Sequence, residues 1–165
     1  MYKDINKIPE IVFNKLLENH ITVSTAESCT GGLIAKTITD FSGSSEIFFE
    51  GYVTYSNEAK MKLLNVKEET LKRYGAVSEQ TAEEMVAGLK KVSGCDICVA
   101  VTGIAGPGGG TPDKPVGLVY AAVSAYDKII VKKLNLEGTR EEVRYNTMLN
   151  VFLMIDEELR LLKNT

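Results

Sequence analysis

The chain is expected to fold as an α/β protein, a three-layer α/β/α sandwich with a mixed, mainly parallel sheet of about five strands. Three observations predict this. Amphipathic helical stretches alternate with short β-branched runs along the chain. The β runs end in turns of small polar residues and glycine, the positions where open α/β sheets bind ligands. Two late runs, Val116–Ala125 and Ile129–Leu136, are joined only by Tyr126-Asp127-Lys128, which dictates an antiparallel hairpin.

In order, residues Asp4 to Asn19 carry Ile8, Val12 and Leu16 at helical spacing, with Ile5, Phe13 and Leu17 beside them. His20, the lone histidine, reads as a surface or helix-end group. Ile21–Thr25 predicts a first strand, 30–41 a helix stopped by Ser42-Gly43-Ser44-Ser45, and Ile47–Tyr55 a second strand. Ser56 caps a helix from Asn57 that Asn65-Val66 breaks, and Lys67–Tyr74 forms a further turn or two. Ser78 caps the next helix, Glu79–Val92, with Met85, Leu89 and Val92 on one face and Val86 beside it. Strand Ile97–Thr102 enters the loop Gly103–Pro115. After the hairpin, Thr139 and Glu142 form a capping box opening a last helix with the stripe Met148, Phe152, Ile155, Leu159, Leu162.

Composition narrows the function classes. With 44% hydrophobic and 25% charged residues, 1–165 reads as one folded domain. A net charge of -3 gives no long-range attraction to nucleic acid or an anionic membrane. Met1-Tyr2-Lys3-Asp4 lacks an apolar signal core, and no apolar run approaches the roughly 20 residues that span a bilayer, so a cytoplasmic protein is expected. Three cysteines, an odd number, argue against a disulfide framework. Cys95-x-x-Cys98 opens a strand, where i and i+3 face opposite sides, and has no second cysteine pair; buried core cysteines, not a metal site, are expected.

The stretch richest in chemistry is Thr25-Ala26-Glu27-Ser28-Cys29-Thr30-Gly31-Gly32. A strand passing through small residues into a helix leaves backbone N–H groups at the helix start, suited to an anion or an oxyanion. Ser28, Cys29 and Thr30 put three nucleophiles or donors there. A serine needs a base. The histidine lies at the entry of Ser28's own strand, at the far edge of the sheet, so Lys60 is the better candidate, with Tyr55 as a relay or an anchor. A lysine base must hold its proton far less tightly than its ordinary pKa of about 10.4 implies, since a base works best near 7–8. A helix N-terminus supplies only about 0.3–1 kcal/mol of this, so burial is required. Cys29 ranks below Ser28, having no base of its own. The loop Gly103–Gly110 is neither a P-loop nor a complete G-x-G-x-x-G. It reads as a cradle that brings backbone near a ligand, and Arg140 and Arg144 suit a phosphate.

Five ordered blocks, Ala26–Gly32, Gly51–Lys60, Gly75–Ser78, Gly103–Pro107 and Lys114–Gly117, resemble the CinA C-terminal domain family of nicotinamide-nucleotide amidases (PncC), over about His20 to Asp156. The resemblance implies hydrolysis of the carboxamide of nicotinamide mononucleotide to nicotinate mononucleotide and ammonia, with no metal and no cofactor. It implies Ser28 as nucleophile, activated by Tyr55 and Lys60. The pyrophosphatase activity of the further N-terminal domain in full-length CinA proteins is not carried over. Substrate contacts are expected from Cys29, Thr30, Gly31, Asn57, Thr102, Gly103, Ala105, Gly106 and Arg140. Backbone amides at 29–31 or 102–103 would hold the oxyanion. The partner is then a small-molecule pyridine nucleotide, not nucleic acid or membrane. The aromatic second strand and the long apolar last helix permit a homo-oligomer. Two other readings stay open: a non-catalytic nucleotide-binding or competence-related partner module, and an amidase for a different small amide.

Overall fold

The computed structural model describes residues 4–126 and 128–162, except for the side chain of Leu162. Strands β1 (Val23–Glu27), β2 (Phe48–Val53), β3 (Ile97–Gly103), β4 (Leu118–Ala125) and β5 (Lys128–Asn135) form one sheet in the order β2-β1-β3-β4-β5. β1 pairs in parallel with both β2 and β3, whereas β3–β4 and β4–β5 are antiparallel. Only β4 therefore runs against the other four. The β4–β5 hairpin is present as expected, although Asp127 in its turn lies outside the described residues.

Alternation along the strands sets the two outer layers. On β3, Ile97, Val99 and Val101 face a core shared with α1 (Ile8–Glu18), α2 (Leu33–Thr39) and α6 (Arg140–Leu162). Cys98 and Ala100 face the opposite core with α3 (Asn57–Leu64), α4 (Glu68–Tyr74) and α5 (Glu79–Ser93). The second face is lined by small residues, Ala26, Ala100 and Ala122, so α5 lies close. Gly88 on α5 meets α3 so tightly that a Cβ there would stand 1.8 Å from the Leu64 carbonyl oxygen. The expected caps are present: Ser56 accepts from the Ala59 amide, Ser78 from the Thr81 amide, and Thr139 and Glu142 exchange bonds.

Several expectations are corrected. The first strand is displaced two residues toward its C-terminus, which puts Glu27 inside the sheet, and the following helix is shorter than 30–41. Ile5 is 49% exposed because residues 5–7 form a 3₁₀ turn, whose threefold period leaves the α1 stripe. Val92 is 53% exposed. The last turn of α5 turns Ser93 to the sheet, where its hydroxyl meets Ser24 at 2.8 Å. Cys95 precedes β3 rather than opening it; all three cysteines are free and buried.

Candidate active site

The turns that follow β1, β2 and β3 lie at one edge of the sheet, because all three strands run the same way. Each ladder continues one residue past its strand. The Ser28 amide donates to Val101 O at 3.1 Å, and the Thr54 amide to Glu27 O at 2.8 Å. Ser28 and Thr54 are therefore held as firmly as strand residues. α3 then starts at Asn57, and Lys60 in its first turns points back along the helix, as helical side chains do. Its amine donates to Thr54 O at 2.8 Å and to Ser28 Oγ at 3.1 Å.

Lys60 is 1% exposed. Burial pushes its pKa below the ordinary lysine value. Among the described residues no carboxylate pairs with it. The nearby Cys29 would favour the ammonium only as a thiolate, and burial raises that thiol to about 11, so it is neutral near pH 7. An amine without a counter-ion, next to a hydroxyl, is the arrangement that general-base activation of a serine needs.

A pocket of about 220 Å³ opens on this pair. Ser28, Cys29 and Lys60 line it together with Thr102, Gly103 and Ala105 at the end of β3 and Ala76 and Val77 from the loop before α5, and the Thr102 hydroxyl donates to Ala76 O at 2.7 Å. Tyr55 and Arg140 complete the lining. The Tyr55 ring is 61% exposed, and its hydroxyl accepts from Arg140 Nη2 at 3.1 Å rather than meeting Ser28 or Lys60. Arg140 Nη1 donates to Gly106 O at 2.8 Å, so one guanidinium ties two loops across the mouth.

Other expected contacts fall elsewhere. Asn57, exposed at the start of α3, and Thr30 do not line the pocket. The Thr30 hydroxyl is buried with no hydrogen-bond partner among the described residues, and its carbonyl accepts from Arg144. Arg144 is therefore occupied within the protein. The Gly31 amide is used by Ser28 O at 3.1 Å. Gly103 and Gly106 are required by internal packing: a Cβ would stand 2.6 Å and 2.5 Å from side-chain atoms of Val119 and Val116. Among the described residues no group of three or more His, Cys, Asp or Glu is placed to hold a metal.

The open helix start expected after Ser28 is filled. Glu27, 1% exposed, accepts from the amides of Gly32 and Ile34 through Oε2 (3.1 and 3.0 Å) and of Ala35 through Oε1 (2.8 Å). The strand pattern, which ends at Thr25, gives Glu27 no role. The available signal is an acid at the end of a strand, five residues before a glycine-led helix start. Ala76 and Val77 are site residues beyond those expected from sequence; nothing local announces that a loop before α5 returns to the β3 edge.

Residues 5–159 match the CinA C-terminal domain family. The chain is 56% identical over 137 residues to a CinA-like protein of Kosmotoga olearia, covering 83% of this chain and 33% of that protein. It is 53% identical over 152 residues to a Clostridium perfringens protein named for competence-damage induction, covering 92% of this chain. That match spans 37% of the relative's length, so the chain corresponds to about a third of these curated relatives. Among solved structures, the competence/damage inducible protein CihA from Agrobacterium tumefaciens superposes with a TM-score of 0.90 at 41% identity, covering 97% of this chain and 98% of that one. A CinA superfamily protein from Klebsiella pneumoniae gives 0.90 at 32%, covering 96% and 99%.

Proposed function

Because the chain belongs to the CinA C-terminal domain family, we propose that it hydrolyses the carboxamide of nicotinamide mononucleotide, with Ser28 as nucleophile and Lys60 as general base. The carrying observation is the buried, carboxylate-free Lys60 amine 3.1 Å from Ser28 Oγ. In the neutral amine that contact reverses: Ser28 Oγ–H donates to the Nζ lone pair. Lys60 takes the proton as Oγ bonds to the amide carbon, and the carbonyl becomes an oxyanion. The Cys29 amide, next in the chain after the nucleophile, is the backbone donor assigned to it. Collapse breaks the C–N bond, Lys60 returns the proton to nitrogen, and ammonia leaves. Water then attacks the Ser28 ester, giving a proton to Lys60 that passes to Oγ as the acid departs.

Direct transfer needs no relay, so Tyr55 serves at the rim with Arg140. A pocket of about 220 Å³ takes the carboxamide end, and the ribose phosphate extends to the mouth, where Arg140 exchanges an internal acceptor for a phosphate oxygen. The test is ammonia release from nicotinamide mononucleotide by wild type, Ser28→Ala and Lys60→Met. We expect losses of about 10³-fold or more for Ser28→Ala and about 10²–10⁴-fold for Lys60→Met. Wild-type rates in either variant refute its assigned role. Calorimetric binding without turnover by wild type would make the domain a nucleotide-binding module instead.

A further inference from the structure

We propose that Glu27 and Arg144 are positioning residues for Ser28, gripping the turn that carries it from its two ends; this rests on reading Ser28 as the nucleophile. The turn needs support. Gly31 and Gly32 both take positive φ, +60° and +95°, and glycine gives the backbone its widest freedom. On the entry side, Glu27 fixes three things at once. Its carbonyl accepts the Thr54 amide, its place in β1 sets the amide of Ser28 on Val101 O, and its carboxylate takes the amides of Gly32, Ile34 and Ala35. On the exit side, Arg144 reaches from α6 and donates to Thr30 O through Nε at 3.2 Å and Nη2 at 2.6 Å. Among the described residues no salt bridge joins the two, so each charge acts on the turn's backbone.

An ordinary N-cap at position 32 would satisfy α2 alone. A carboxylate placed five residues earlier in the strand locks helix, strand and nucleophile into one unit. It has a second consequence. The seven-residue α2 starts on a resident carboxylate, so the amides of Gly32, Ile34 and Ala35 are not open to a substrate anion.

The test uses Glu27→Gln, Arg144→Ala and Arg144→Lys with nicotinamide mononucleotide. Glutamine keeps the volume but turns an NH₂ toward helix amides that need an acceptor. We expect kcat to fall about 100-fold in Glu27→Gln and Arg144→Ala, the scale of a roughly 1 Å misplacement, with KM within about threefold of wild type. Added guanidinium should restore part of the lost kcat in Arg144→Ala, and Arg144→Lys should lie between. Melting followed by circular dichroism identifies variants folded at the assay temperature. If Glu27→Gln is unfolded there, the Arg144→Ala and guanidinium arm decides. A kcat within about threefold of wild type, or a loss confined to KM, overturns the proposal. Should wild type release no ammonia, the nucleotide reading fails, and modification of Ser28 by a fluorophosphonate probe, which needs no nucleotide, decides this one. Labelling of wild type that is lost in Glu27→Gln supports positioning. Equal labelling of both, or none of wild type, overturns it.

Discussion

A buried lysine is costly, and at Lys60 that cost is tied to its chemistry. Burial lowers its pKa from 10.5, so the folded protein binds fewer protons here than the unfolded chain between the lowered value and 10.5. Stability contributed by this group therefore rises with pH across that window and is least below it. Lys60→Met should lose about 10²–10⁴-fold in activity yet be more stable than wild type at neutral pH, with Tm about 3 °C or more higher. The gain should fade as pH passes 10.5, and calorimetric melts at several pH values check it. The wild-type kcat/KM should fall as pH drops below the Lys60 value, since only the neutral amine accepts the Ser28 proton. At the pocket mouth, Arg140→Ala should raise KM for nicotinamide mononucleotide about 10–100-fold, the worth of a charge-assisted hydrogen bond. It should leave a riboside lacking the phosphate nearly unaffected, and steady-state kinetics on both substrates measures the contrast.

Elements, not single residues, bring the site together. β1, β2 and β3 run in parallel and deliver three turns to one edge; α3 returns Lys60 to the first of them. α3 is held in turn by α5 at Gly88. Gly88→Ala tests that contact. Alanine favours a helix over glycine by about 1 kcal/mol. A Cβ 1.8 Å from the Leu64 carbonyl oxygen must push the helices apart, and backbone cannot give way as a flexible side chain does. The clash should win, with a net loss of about 1–3 kcal/mol in urea unfolding and a lower kcat as Lys60 moves with α3. At this scale the caps at Ser56, Ser78 and Thr139 were legible, because capping is a local hydrogen-bond pattern. The ends of β1 and α2 were not: small residues such as Thr25, Ala26 and Ser28 suit strand, turn or helix start. The choice was made by pairing with Val101 and Thr54.

Across the whole molecule, the core beneath α5 buries Cys95 and Cys98, and a smaller cluster with Ala105, Val119 and Val143 buries Cys29. Cys29 is lined up with the pocket, yet its thiol is pushed to about 11 by burial. Native protein near pH 7 should therefore react slowly with an aromatic disulfide reagent, and unfolded protein should release three equivalents at once; absorbance counts them. No helix among the described residues is long and apolar enough to cross a membrane.

Periodicity, caps and short turns are local properties, so the chain by itself determined the layered α/β class, the late hairpin and the candidacy of Ser28 and Lys60. Whether those two met depended on contacts between residues 32 positions apart, and only the packed structure decided it. The same holds for the buried amine, since desolvation is a property of everything that surrounds a group, not of its neighbours in sequence. It holds again for the amides at the start of α2. Read locally they stand open, but in the fold Glu27, two residues deeper in the sheet than the strand pattern suggested, already occupies them.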